Sequence, residues 1–476
     1  MSNLKKKTVV GILWGSLERF STLFIQLVCT LIIARFLSPS DFGLVGILTV
    51  FTALGTVITD AGFSQALIRK QDTSDLDYSS VFYFNVLLSL LLYSVLFLIT
   101  PKIALFYNIK GLENAAKVIF LILPINAFSI IQQTILQKTI DYKSLSKISI
   151  ISALVSGGLG VFLSYILKDV WALVFQLLMY NVFRTSLFWI FGKWRPTFNF
   201  SIKPIKSMSS FSLNLLLSGA IGVIFDNLYS IMIGKYYKPV DLGLYSQSKK
   251  ISDIPTITIV SVIQQVTFAS LSVLQNDKQE LKKKYLQIIR LSVFIVTPLL
   301  SMLMITANDL FEIILGEKWK GAVIYFQLLC LIGMFYPISS INLNILKIVG
   351  KSNVLLRLEI AKKVLLVIIL MFTIKLSLLM VIYGNFVYAI ITVLLNMFFC
   401  GREINLGVFK QIADIFPIYL LSLIISIVLL YFYKIYLNDY LHLKIILSMI
   451  TFSTLWIVTS YLLKFKVFKD LINIVK

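Results

Sequence analysis

The sequence predicts an all-α integral membrane protein of 14 transmembrane helices: two parallel six-helix lobes followed by two further helices. Three observations support this fold class. First, hydrophobic residues make up 58% of the chain and charged residues 14%, with a mean hydropathy of +0.90, whereas soluble domains are about half apolar and a quarter charged. Second, the apolar runs are continuous, while the strands of a membrane β-barrel would alternate. Third, a short segment in the first half of the chain recurs in the second.

A membrane-spanning helix needs ~20 mostly apolar residues, and fourteen segments meet this criterion. They lie at about 9–35, 42–67, 79–99, 112–136, 146–167, 170–191, 209–234, 242–274, 286–306, 321–346, 358–376, 378–400, 413–433 and 442–463. The first follows three lysines, as in a secretory signal, but it is interrupted by Glu18 and Arg19 and is expected to remain as a helix. In the eighth, the charges and the proline at 249–255 are expected to break the outer half. The eleventh is the weakest of the set, because Glu359, Lys362 and Lys363 intrude on its first turns and Lys375 lies at its end.

The distribution of cations predicts the topology. If the N-terminus is inside, 28 of the 44 Lys and Arg residues lie on inner segments, 12 on outer segments and 4 within spans. This bias is what the positive-inside rule gives for an even number of helices with both termini in the cytoplasm. The net charge of +22 is therefore attributed to topology, and no nucleic-acid partner is expected.

The recurring segment predicts two homologous halves. Residues 35–44 read RFLSPSDFGL, and residues 235–244 read KYYKPVDLGL. Six predicted helices separate the copies, and an even number restores the orientation, so the halves are expected to be parallel repeats. The predicted division is 1–200 for the first lobe, 201–405 for the second and 406–476 for the two additional helices. In each copy Asp is expected to cap a helix start next to a proline.

Two motifs carry a resemblance to a known family. The Leu-x-Pro-x-Asp-Phe-Gly turn at 37–43 and the Gly-Phe-Ser-x-Ala-Leu-Ile-Arg-Lys segment at 62–70 resemble the Wzx-type polysaccharide and O-antigen flippases of the multidrug/oligosaccharidyl-lipid/polysaccharide (MOP) exporter superfamily. The resemblance implies a V-shaped, MATE-like fold with alternating access. It also implies that a polyprenyl-diphosphate-linked oligosaccharide crosses the bacterial inner membrane, with membrane lipids and polysaccharide polymerase machinery as partners. Flipping breaks no bond, so no catalytic residue carries over.

Charged residues inside predicted spans are the candidate substrate-cavity residues. Each costs ~2.5–3.5 kcal/mol at a helix centre, so such residues tend to face a cavity or a partner. The cations among them would offset the lost hydration of a diphosphate, and arginine would do so bidentately. The alternative is that they pair within the bundle, for example at i, i+4. The set consists of Glu18, Arg19, Arg184, Asp226, Lys249, Lys250 and Asp253.

Asp226 has a second possible role, because a cavity carboxylate can bind Na⁺ or a proton and couple transport to an ion gradient. No cofactor or metal is expected, since the three cysteines and the single histidine have unrelated spacings. Gly350-Lys351-Ser352 resembles the end of a P-loop, but Ile345 occupies the place of the first glycine.

Two alternative functions stay open. A cation-coupled drug antiporter of the same fold should have twelve helices and a cavity biased towards carboxylates. A membrane-embedded glycosyltransferase or acyltransferase should carry a catalytic Asp, Glu or His on a substantial outer loop. The predicted loops are short, so an enzyme is not expected.

Overall fold

The computed structural model describes residues 2–272, 274–275, 277–436, 441–468 and 470, and the regular secondary structure of this part of the chain is entirely helical. Twelve helical segments of the described chain are long and apolar enough to cross a membrane, so the chain is a multi-span membrane protein. Each of the twelve overlaps a predicted span. The other two predicted spans are also helical: the one at 358–376 carries several charges, and the one at 242–274 lies partly outside the described side chains. Fourteen crossings and cytoplasmic termini remain predictions.

The side chains of the first cationic segment and the last two lysines lie outside the described part: Lys5, Lys6, Lys7, Lys469 and Lys476. Below, the outer end of a helix is the end that the charge pattern predicts to lie outside the cell, and the inner end is the opposite one.

The chain divides into two compact units, Met1–Ser246 and Gln247–Lys476. Unit 1 contains α1 (Ser2–Phe36), α2 (Pro39–Asp60), α3 (Phe63–Arg69), α4 (Asp75–Tyr107), α5 (Leu112–Ile119), α6 (Ile122–Lys138), α7 (Tyr142–Leu167), α8 (Trp171–Phe191), α9 (Ile202–Asp226), α10 (Leu228–Tyr236) and the start of α11 (Pro239–Ser272). The predicted lobes follow the repeat rather than this division, and they stay a prediction.

Unit 2 contains the rest of α11 and eight further α-helices. These are α12 (Lys278–Ile305), α13 (Ala307–Ile314), α14 (Val323–Gly333), α15 (Tyr336–Ile348), α16 (Ser352–Thr373), α17 (Leu378–Glu403), α18 (Val408–Tyr436) and α19 (Leu441–Leu462). A 3-10 turn, Glu317–Ala322, precedes α14.

Small residues set the packing of α1 against α7, the most extensive helix pair in the described chain. A Cβ added to Gly11 would lie 3.1 Å from the ring of Tyr142, and one on Gly157 would lie 3.4 Å from the Cβ of Cys29. Glycine at these positions therefore lets the helices approach closely, as expected for small residues at membrane helix interfaces.

The repeated Pro-x-Asp turns start α2 and α11 as predicted. The Asp41 carboxylate accepts hydrogen bonds from the Ser38 backbone N–H at 2.9 Å and from its hydroxyl at 2.6 Å. In the second copy the Asp241 carboxylate accepts from the Lys238 backbone N–H at 3.2 Å. Each carboxylate thus satisfies a donor at the start of a helix, where the helix dipole also favours negative charge.

Several predicted spans are broken helices. The span predicted at 42–67 ends at Asp60, because Ala61 and Gly62 adopt left-handed conformations with φ of 48° and 76°. The short helix α3 then begins at Phe63. The span predicted at 209–234 is divided at Asn227 into α9 and α10.

The break expected at 249–255 is wrong, because α11 is one continuous helix with Pro255 in its interior. Proline removes a single backbone donor, whose acceptor in a regular helix would be the Ile251 carbonyl. Loss of one bond is therefore compatible with an unbroken helix here.

Unit 2 is organised around α12, which packs against α14, α15 and α18. The Arg290 guanidinium lies 2.9 Å from the Asp414 carboxylate of α18 and 2.8 Å from that of Asp470 near the C-terminus. All three side chains are about nine-tenths buried. A paired, buried charge of this kind is costly to break from one side, so Arg290 ties α18 and the segment that follows α19 to α12.

Candidate functional site

Helix α1 is exposed on more than one side. Leu13, Leu17 and Phe24 are 63%, 48% and 66% exposed, and their spacing places them on one apolar face. Arg19 is also exposed, but it lies 200° around the helix from Leu17 at ~100° per residue. Gln26, seven residues further on, shares the face of Arg19. Arg19 therefore lies opposite this face, and Ile12, seven residues earlier on the same side as Arg19, is itself 54% exposed.

Arg19 also lies at a depth suited to a central cavity. The membrane-compatible part of α1 is Val10–Phe36, and Arg19 is ~14 Å from Val10 at ~1.5 Å per residue. A hydrocarbon core is ~30 Å thick, so this position is close to its middle.

Glu18 and Arg184, both predicted from sequence, come together in unit 1. The Glu18 carboxylate accepts a hydrogen bond from the Ser149 hydroxyl of α7 at 2.6 Å. Tyr180 of α8 interacts electrostatically with both Glu18 and Arg184. One acidic, one phenolic and one basic group from α1 and α8 thus share a polar region inside the predicted membrane zone.

Arg184 is only partly committed to protein partners. One guanidinium nitrogen donates to the Gln133 side-chain oxygen of α6 at 3.1 Å, and the guanidinium lies 5.2 Å from the centre of the Phe188 ring. Its Nε is buried without a hydrogen-bond partner among the described residues. A buried, unmatched donor is costly, and an anion could satisfy it.

Asp226 lies where α9 gives way to α10. Asn227 separates the two helices, and its side-chain amide donates a hydrogen bond to the Val223 carbonyl at 2.8 Å. Asp226 is exposed and ~15 Å from the helix end at Tyr236, at ~1.5 Å per residue. Broken helices at mid-membrane depth are where transporters bind substrates and ions, and this geometry is compatible with the predicted coupling role.

The remaining candidates, Lys249, Lys250 and Asp253, are on α11 in unit 2. Lys250 is exposed and Lys249 is partly buried. Asp253 interacts electrostatically with Lys249, one turn away. This interaction favours the alternative in which these two residues pair within the bundle, whereas Lys250 keeps its exposed position.

The two copies of the repeat contact each other within unit 1. A Cβ added to Gly43 would overlap the Pro239 carbonyl and lie 2.8 Å from its carbon. A Cβ on Gly243 would likewise overlap the Pro39 carbonyl and lie 2.7 Å from its carbon. Each added Cβ would also lie 3.1 Å from the backbone nitrogen of the other glycine. We call this reciprocal backbone contact, formed by the first turns of α2 and α11, the glycine crossing.

Sequence reasoning had assigned the repeat only a turn-forming role and had not identified the crossing. It also missed Tyr180 and Ser149, because an uncharged tyrosine or serine on a membrane helix gives no distinct sequence signal. The recurrence of glycine at the same place in both copies was the available signal for the crossing.

The fold is that of MurJ and of the MATE proteins. The structure matches the lipid II flippase MurJ in an inward closed conformation with a TM-score of 0.73 and 16% identity, over 96% of this chain and 99% of that chain. It matches an inward-facing multidrug resistance MATE family transporter of the MOP superfamily with a TM-score of 0.61 and 17% identity, over 82% of this chain and 98% of that one. The protein is thus a multi-span membrane protein of the MurJ/MATE fold.

More specifically, the chain belongs to the polysaccharide biosynthesis protein family, which matches residues 32–324. It is 24% identical to the teichuronic acid biosynthesis protein TuaB of Bacillus subtilis over 74% of each chain. It is 22% identical to the lipopolysaccharide biosynthesis protein WzxC of Escherichia coli over 71% of this chain and 69% of that protein. The resemblance drawn from the two sequence motifs is confirmed.

Proposed function

We propose that this protein is a flippase that moves a polyprenyl-diphosphate-linked oligosaccharide from the inner to the outer leaflet of the bacterial inner membrane, for surface polysaccharide synthesis. Family membership supports the pathway, since the relatives are named for teichuronic acid and lipopolysaccharide synthesis. The fold shared with a lipid II flippase supports the type of movement. Membrane lipids and the polysaccharide polymerase machinery are the proposed partners.

The observation that carries the proposal is the position of Arg19 on α1. A cation at mid-membrane depth costs ~2.5–3.5 kcal/mol when it faces lipid, and Arg19 lies opposite the exposed face formed by Leu13, Leu17 and Phe24. An aqueous cavity on that side removes the cost. A diphosphate entering the cavity would gain bidentate, charge-assisted hydrogen bonds to the guanidinium.

The region around Tyr180 extends this anion site. The unpaired Nε of Arg184 offers a second donor, and Gln133 keeps the guanidinium in place through its 3.1 Å hydrogen bond. Glu18, held by Ser149, adds a negative charge that would favour release of the substrate. No step requires a covalent bond to form or break, so the proposed activity is transport rather than enzymatic catalysis.

Alternating access between the lobes 1–200 and 201–405 would bring the substrate to each side in turn. The glycine crossing lies at the predicted outer ends of α2 and α11, so its separation would accompany outward opening. Asp226, at the break between α9 and α10, would bind Na⁺ or a proton and couple this motion to an ion gradient.

A cation-coupled drug antiporter is the second candidate, because a MATE transporter shares the fold. The exposed Arg19 and Lys250 disfavour it, since like charges would repel a cationic drug. An assay of fluorescent cation efflux from inverted vesicles separates the two, and efflux above that of empty vesicles would favour the antiporter.

The flippase is tested directly in proteoliposomes that contain a labelled polyprenyl-diphosphate oligosaccharide. Leaflet exchange is scored with and without Na⁺ and proton gradients. Wild type is expected to exceed protein-free vesicles, and Arg19→Ala is expected to lose the activity. Lys283→Ala, which removes a cation 64% exposed and paired only at i, i+3, is the matched control. Exchange at the protein-free rate under all gradients would contradict the proposal.

A further inference from the structure

A groove in unit 1 lies between α2 and the outer part of α4. It has a volume of about 290 Å³ and is lined by Phe51, Ile99, Lys102, Ile103, Phe106 and Tyr107. Aromatic contacts order its walls: the rings of Phe51 and Tyr107 meet edge to face at 6.3 Å, and those of Phe106 and Tyr107 at 5.0 Å. Apart from Lys102 and the Tyr107 hydroxyl, the lining side chains are apolar.

Two ammonium groups flank this groove. Lys102 is exposed on its rim. The Lys235 ammonium lies 3.9 Å from the centre of the Phe106 ring and donates to the Phe106 carbonyl at 2.7 Å. Neither lysine forms a salt bridge with any carboxylate that the structure describes, whereas nearby Lys117 is paired with Glu113 at 2.6 Å. The rim therefore carries uncompensated positive charge.

The depth of the groove matches the outer leaflet. Its α4 residues extend from Ile99 to Tyr107, the last residue of the helix, or ~12 Å at ~1.5 Å per residue. The apolar lining thus begins within the predicted hydrocarbon region, and the cations lie where lipid headgroups would be. A volume of about 290 Å³ suits a segment of one chain rather than a whole lipid.

We propose that this groove binds the head-proximal isoprenoid segment of a polyprenyl diphosphate in the outer leaflet, with Lys102 and Lys235 on the diphosphate. The ligand identity rests on the proposed function. A single-chain lipid fits a single groove, and alkene carbons pack on the aromatic walls. The charge on the rim matches a diphosphate, which has more negative charge than a phosphodiester lipid. The groove would thus hold the carrier lipid after the oligosaccharide has crossed.

The test is photo-labelling of the full-length protein in nanodiscs with a diazirine-bearing polyprenyl diphosphate, mapped by mass spectrometry to residues 99–107. Lys102→Glu and Phe106→Ala are expected to reduce labelling there by about fivefold or more, since even an exposed charge contact is worth ~1 kcal/mol. Leu105→Ala, on the same helix and 80% exposed outside the groove, should label like wild type. Unlabelled polyprenyl diphosphate should compete, and phosphatidylglycerol should not.

Equal labelling of wild type and Lys102→Glu, or equal competition by phosphatidylglycerol, would overturn the proposal and make the groove an ordinary lipid-contacting surface. The binding readout is independent of transport. Flipping without labelling of the groove would refute the groove alone. Labelling without flipping would refute the proposed flippase and leave the lipid site standing. A thermal-unfolding measurement on each variant confirms that the protein used is folded.

Discussion

Substitution of Gly43 by alanine should force the glycine crossing apart. The added Cβ would lie 2.8 Å from the Pro239 carbonyl carbon and 3.1 Å from the Gly243 nitrogen, whereas non-bonded carbon atoms prefer ~3.5–4.0 Å. The obstructing atoms belong to the backbone, so no side-chain rotation relieves the overlap, and the helices must separate by about 1 Å. Overpacking of this kind costs ~1–3 kcal/mol, which lowers the equilibrium constant for the closed crossing by about fivefold to a hundredfold.

The crossing can be measured by a disulfide. A Cβ on Gly46 would lie 3.8 Å from the Cβ of Ser246, which is the mean separation in disulfides. In a background with the native cysteines replaced, Gly46→Cys with Ser246→Cys should therefore cross-link under mild oxidation. Adding Gly43→Ala should slow cross-linking, and adding Gly222→Ala should not, because nothing lies within 4 Å of a Cβ on Gly222. Equal cross-linking rates in the parent, Gly43→Ala and Gly222→Ala proteins would refute the reasoning.

Three further outcomes are expected. The oxidised Gly46→Cys/Ser246→Cys protein should lose flipping activity in proteoliposomes and regain it when a reductant is added. Full activity in the cross-linked protein would show that the glycine crossing need not open. Arg19→Ala should abolish surface polysaccharide at unchanged protein abundance. Arg19→Lys should retain part of it, since lysine keeps the charge but loses bidentate geometry. Normal polysaccharide in both variants would remove Arg19 from the pathway. Arg290→Ala should lower the free energy of unfolding by ~3–5 kcal/mol, because two buried carboxylates lose their arginine partner and keep only Lys466 at 3.4 Å and the Gln287 amide at 3.1 Å. Lys283→Ala should cost ~0–1 kcal/mol, and similar melting temperatures of the two variants in detergent would argue against that role.

The membrane spans were accessible from the sequence because hydropathy over ~20 residues is a local property. Twelve predicted spans overlap helices that meet the same criterion in the structure. The predicted spans were wrong where a helix ends or breaks within an apolar segment. Left-handed Ala61 and Gly62 end α2 early, and Asn227 separates α9 from α10, yet neither event changes the mean apolarity of the segment.

The candidate charges were also found from sequence, since an ionisable residue within an apolar run is conspicuous. Their partners were not. Glu18 and Ser149 are 131 residues apart and form no local pattern; only packing of α1 on α7 brings them to 2.6 Å. The exposure of Arg19 was likewise undecided from sequence, and the structure leaves this side chain exposed, opposite Leu13 and Leu17 on the helix.

The sequence alone determined that the chain is helical and membrane-spanning, that a Pro-x-Asp-x-Gly segment is duplicated, and that a few charges lie at membrane depth, because composition and periodicity report directly on the solvent around each segment. Only the tertiary structure decided that Gly43 and Gly243 contact each other, that Glu18 and Arg184 share a polar region around Tyr180, and that Phe51 and the end of α4 enclose a groove. Each of these contacts depends on how closely helices that are distant in the chain approach one another. That approach is fixed by van der Waals contact and helix packing, and local sequence does not specify it.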